Sequence, residues 1–113
     1  MISTEKTIAE LWQDYLFLTQ EMNKFLDKQD HDMFLDLLEQ RERLQPMIEG
    51  TNSQEFVDSK QGSEMIAEIS RINLIVANKV QHFLNREQKN QNLSRAYDSF
   101  RQSNVGMRMD WKS

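Results

Sequence analysis

Apolar side chains return every three or four residues along three long stretches, and that period limits the fold more than any other feature. It keeps one face of an α-helix apolar. In the first stretch Ile8, Leu11, Tyr15, Leu18, Met22 and Phe25 form a stripe that Trp12, Leu16 and Leu26 widen. Ser3 offers an N-cap, and Glu5 places an acid where the helix dipole favours one. A helix over about 4–28 is expected, roughly 38 Å long.

Asp30, His31 and Asp32 interrupt the stripe and can cap a second helix. Phe34, Leu37, Leu38, Arg41, Leu44 and Ile48 then follow helical spacing, with Met33 and Met47 beside them. Glu39 and Arg43 form an i, i+4 pair on the solvent side. Pro46 removes a backbone donor in the last turn and Gly50 closes the segment, which sets the helix at 31–48. So short a connection makes the first two helices antiparallel neighbours.

Thr51 with Gln54 reads as a capping box for a third helix over about 53–90, bent at Gly62 if anywhere. Met65, Ile66, Ile69, Ile72, Val76, Val80, Phe83 and Leu84 form its stripe. Leu74 and Ile75 lie off that line and suggest a second apolar face around 72–76. Residues 85–92 are polar all round, and Leu93, Ala96, Tyr97 and Phe100 restore a short amphipathic pattern. The expected architecture is all-α: an antiparallel three-helix bundle over 1–92, followed by a C-terminal helix and tail over 93–113.

Composition narrows the function. Three glycines and one proline in 113 residues argue against turn-rich β folds, and the absence of cysteine removes disulfides, thiol nucleophiles and cysteine zinc sites. A net charge of −4 gives nucleic acid and anionic membranes little to attract. No apolar run approaches the roughly 20 residues of a membrane span, so neither nucleic-acid binding nor membrane insertion is expected, and the expected location is the cytoplasm.

Catalysis finds few candidates. A di-metal carboxylate bundle needs Glu-x-x-His, but Lys28 precedes His31 and Lys79 precedes His82 at that spacing. His31 reads as an exposed residue of a capping region and His82 as a boundary residue. Leu37-Leu38-Glu39-Gln40-Arg41 resembles the Leu-Leu-x-x-Arg segment of small helical chorismate mutases, whose dianionic substrate needs several cations. Lys6, Lys24 and Lys28 lie off the apolar stripe and Asn52 stands where a lysine is needed, so that cation set is incomplete. No enzyme activity, cofactor or metal is expected. Surplus apolar groups, including Met22, Met33, Met47, Met65, Met107 and Met109, instead suit a bundle that grasps another helix.

Phe34-Leu35-Asp36-Leu37-Leu38-Glu39-Gln40-Arg41-Glu42-Arg43-Leu44, the break at Gly50 and Thr51, and the ending Gly106-Met107-Arg108-Met109-Asp110-Trp111-Lys112 together resemble FliT-type flagellar export chaperones, nearest those of Bacillus-like bacteria. Trp111 stands where lysine is commoner in that family. The resemblance implies a cytoplasmic chaperone that binds the C-terminal amphipathic segment of the filament-cap protein and delivers it to the export gate and its ATPase complex. On this chain the groove is expected between the second and third helices, with Leu37, Leu38, Leu44, Ile72, Val76 and Phe83 as contact candidates. Tyr97, Phe100, Met107 and Met109 would form a displaceable cover. Charged replacements of Val76 and Phe83 are then expected to abolish binding while the helices survive. FlgN-type chaperones of hook–filament junction proteins, a regulator-sequestering adaptor and a homodimer remain open alternatives.

Overall fold

The computed structural model describes residues 6–86 together with 94, 95, 97 and 98. Among the described residues the helical elements are, in order, α1 (Ile8–Asp27), α2 (His31–Glu49), α3 (Gln54–Asp58) and α4 (Lys60–Arg86). Three are long and packed together, so the fold is an all-α helical bundle. α1 lies close against both α2 and α4, and α3 lies against α4.

α1 begins later than its periodicity suggests. Thr7 is extended (φ −68°, ψ 162°) and closes a reciprocal capping box with Glu10. The Glu10 N–H donates to Thr7 Oγ1 at 3.1 Å, and the Thr7 N–H donates to Glu10 Oε1 at 3.0 Å. Two orphan donors are satisfied at once, which fixes the start at Ile8. Ser3 and Glu5 lie outside the described residues.

The turn into α2 is a Schellman motif with glutamine at the left-handed position: Gln29 has φ 59°. Its N–H donates to Leu26 O, and the Asp30 N–H donates to Phe25 O, both at 2.9 Å. Asp30 then caps α2, its Oδ1 accepting from the Met33 N–H at 3.1 Å. One residue thus ends one helix and starts the next. Pro46 does not stop α2, because its missing donor removes a single bond and the Gly50 N–H closes the last turn on Pro46 O at 2.9 Å.

The expected third helix is divided into α3 and α4, and Gly62 is not where it divides. The break is Ser59, extended at φ −72°, ψ 161°. Its Oγ donates to Phe56 O at 2.6 Å and accepts from the Gly62 N–H at 3.0 Å, ending α3 and capping α4 with one hydroxyl. Gly62 instead lets the two segments cross closely: a Cβ there would stand 1.8 Å from Phe56 O. The Thr51–Gln54 box does not form. Thr51 Oγ1 donates to Ile48 O at 2.7 Å, Gln54 Nε2 donates to Asp58 Oδ1 at 2.9 Å, and Ser53 precedes α3 without a side-chain cap.

Among the described residues the core has two clusters. Leu11, Trp12, Tyr15, Ile48, Ile66 and Ile69 form one, with Phe56 and Val57 of α3 packed on it. Met22, Leu26, Phe34, Leu37, Leu38, Ile72, Val76 and Val80 form the other. Of the expected second apolar face of α4, Ile75 is half-buried but Leu74 is 61% exposed, and it is the polar neighbour Asn73 that is buried.

Candidate partner-binding surface

Between the two clusters sits a buried polar centre built by one residue from each long helix. Arg41 of α2 is 1% exposed. Its Nη1 donates to Thr19 Oγ1 of α1 at 2.9 Å and to Asn73 Oδ1 of α4 at 2.7 Å. The Thr19 hydroxyl donates to Tyr15 O at 2.7 Å, and the guanidinium carbon stands 4.7 Å from the centre of the Tyr15 ring. Burial lowers the Arg41 pKa and raises that of Tyr15, and the neighbouring charge and ring partly oppose each shift. Arg41 had a visible signal in the sequence, since it occupies an apolar-stripe position. Nothing marked Thr19 and Asn73 as its acceptors.

The α2 and α4 backbones keep farther apart from each other than from α1. They meet through long side chains: Arg41 on Asn73, and His31, whose ring lies edge-on 4.8 Å from Phe83. His31 is therefore half-buried rather than an exposed capping residue, while His82 is exposed with its ring 6.2 Å from Phe83. Of the six groove residues expected from the sequence, Leu37, Leu38, Ile72 and Val76 are buried and share one cluster. They form the interior beneath the α2–α4 seam and present no open groove. Val76 is fully buried, so a charge there would disrupt the bundle itself, contrary to the expected loss of binding alone.

Leu44 and Phe83 are half-buried and border two separate hollows. Phe83 lines one of about 290 Å³ with Leu26, Asp27, Asn78, Lys79 and His82. There Lys79 Nζ crosses from α4 to α1 and donates to Asn23 Oδ1 and Asp27 Oδ1, both at 2.6 Å. Leu44 lines another of about 400 Å³ between α1 and α2, with Phe17, Leu18 and Met47. Phe17 was missed in the sequence because it stands outside the α1 stripe.

Of the expected cover, Phe100, Met107 and Met109 lie outside the described residues. Tyr97 is half-buried, packs against the cluster containing Leu37, Leu38, Ile72 and Val76, and donates its hydroxyl to Gln81 Oε1 at 2.8 Å. Among the described residues no three His, Asp or Glu side chains gather as a metal site, and no helix is long and apolar enough to cross a membrane. No protein-family model, curated protein or solved structure matches the chain.

Proposed function

We propose that this chain is a cytoplasmic export chaperone of the FliT kind, which binds an amphipathic helix from the C-terminal segment of the filament-cap protein and carries it to the export gate and its ATPase complex. The seat of Tyr97 carries the reading. An aromatic residue from beyond α4 rests on the apolar cluster that underlies the α2–α4 seam, and its hydroxyl donates to Gln81 of α4. The half-buried ring itself contributes only about 1 kcal/mol. A partner helix bringing three or four anchors would outweigh it. In this reading the seam opens over Leu37, Leu38, Ile72 and Val76 when the cover leaves, and Leu44 and Phe83 contact the partner at its ends. The chain acts by binding and needs no cofactor or catalytic group.

The test is light scattering after size-exclusion chromatography of the chain mixed with the filament-cap protein, intact and lacking its last roughly 40 residues, a length that exceeds one seam-filling helix. The expected result is a complex with the intact cap only. Replacing Tyr97 with alanine should tighten binding, and Phe83→Asp should abolish it with helix content preserved in circular dichroism. No complex with either cap protein overturns the assignment to this substrate and turns attention to hook–filament junction proteins.

A further inference from the structure

The α2–α4 seam carries a charge at its middle. Arg41 stands one helical turn from Leu37 and Leu38 on one side and from Leu44 on the other. The apolar line of α2 is thus interrupted by a guanidinium that is 1% exposed. Asn73 answers it from α4, and the 2.7 Å bond from Arg41 Nη1 to Asn73 Oδ1 crosses the seam. The two acceptors of Nη1, Asn73 Oδ1 and Thr19 Oγ1, are both neutral. Burial works against the charge, which the exposed Glu42 supports through space.

A helix laid along the seam cannot leave the crossing bond intact. Packed helix axes stand about 8–10 Å apart, so an incoming helix takes the line on which Arg41 and Asn73 now meet. Thr19 stays with Arg41, since α1 and α2 are closely packed. Asn73 is parted from it with α4, and the guanidinium loses an acceptor while it remains in an apolar interior. An unmet bond on a buried charge costs more than one on a neutral group. A carboxylate is the fitting replacement, because it accepts two bonds from a guanidinium and offsets its charge.

We propose that Arg41 sets the specificity of the seam by selecting amphipathic helices that carry an aspartate or glutamate within their apolar face. The acid takes the place of Asn73 at the guanidinium. Apolar side chains three or four positions to either side of it then lie over Leu37, Leu38 and Val76 toward one end and over Leu44 toward the other. A wholly apolar helix strands the guanidinium and is turned away, so the residue that recognises one helix also rejects others. The inference rests on the reading of the seam as a helix-binding surface, and it adds the chemistry of the helix that fits.

Calorimetric titration of the full chain with the filament-cap protein tests it. Each Asp and Glu in the last roughly 40 residues of the cap protein, the length that covers the seam, is changed in turn to Asn or Gln. One such change should weaken binding by about tenfold or more, and the others should matter little. The chain carrying Thr19→Val, Arg41→Met and Asn73→Leu has an apolar interior in place of the polar centre. It should bind the acid and amide forms within about twofold of each other. A second variant, Asn73→Asp, supplies the carboxylate from within the chain. It should weaken the intact cap protein by about tenfold and unfold at no lower urea concentration than the parent. A cap protein that binds the parent with every acid-to-amide change tolerated overturns the inference and leaves the chaperone reading standing. So does a preference for the acid that persists in the triple variant, or an Asn73→Asp protein that binds as well as the parent or unfolds at lower urea. A parent chain that binds no form of the cap protein overturns the reading and this inference together.

Discussion

Replacing Gly62 with alanine sets two effects of opposite sign against each other. Alanine in a helix is favoured over glycine by up to about 1 kcal/mol, so propensity alone forecasts a more stable protein. The structure forecasts the reverse. The new Cβ would stand 1.8 Å from Phe56 O and 2.7 Å from Phe56 C, both backbone atoms that no rotamer change can move aside. Ordinary contact requires α3 to retreat by roughly 1.5 Å. That retreat loosens Phe56 and Val57 from the cluster around Trp12. Both are half-buried, and losing half the value of full burial for each comes to about 2 kcal/mol. The Ser59 Oγ bonds to Phe56 O and the Gly62 N–H are strained as well, at about 1 kcal/mol. After the propensity gain the net loss is about 2 kcal/mol. Urea unfolding followed by tryptophan fluorescence measures it. Gly50→Ala is the control: its Cβ would lie 3.2 Å from Pro46 O with no positive φ, so a change within about 0.5 kcal/mol is expected. A Gly62→Ala protein at least as stable as the parent, or a larger loss at Gly50, refutes the reasoning.

The buried polar centre predicts a contrast, because Asn73→Ala takes one acceptor from a buried guanidinium and should cost about 2–3 kcal/mol. The combined change Thr19→Val, Arg41→Met and Asn73→Leu removes the charge with its partners and should unfold at no lower urea concentration than the parent. Gln29→Gly relieves the left-handed backbone at φ 59° and should raise stability by about 0.5 kcal/mol in the same titration, the relief exceeding the added freedom of the unfolded chain. Burial holds the Tyr15 pKa above its ordinary 10.0. Its contribution to stability is therefore fully present below pH 10 and is lost as pH rises further, where the unfolded state gives up the proton first. Subtracting the alkaline stability curve of Tyr15→Phe from that of the parent isolates this loss, and coincident curves contradict it.

The long helices were legible because their stripes repeat many times, so that Leu11, Tyr15, Met22 and Leu26 or Ile69, Ile72, Val76 and Val80 each restate the same face. Asp30 was legible as a cap because it breaks the stripe at the place where a cap is needed. The break at Ser59 was not. It rests on one hydroxyl serving two backbone groups and on the closeness of α3 to Gly62, and neither leaves a periodic trace. Leu74 misled for a related reason: hydrophobicity says that a side chain gains from burial, whereas Asn73 is buried because Arg41 requires an acceptor across the seam. The hollow between α1 and α2 also escaped the sequence, since Phe17 and Met47 come from different helices and neighbour each other only once the hairpin has closed.

One nitrogen, Arg41 Nη1, holds Thr19 and Asn73, which are 22 residues before it and 32 residues after it in the chain. A chain made from its N-terminus has α1 and α2 in hand well before Asn73 emerges. Until then the guanidinium between those helices has Thr19 but not Asn73, and water must supply the difference. The early hairpin therefore stays wet and loose, and α4 is the element whose arrival dries the interior. Assembly of the three long helices becomes a single cooperative event, timed by the last of them to be synthesised.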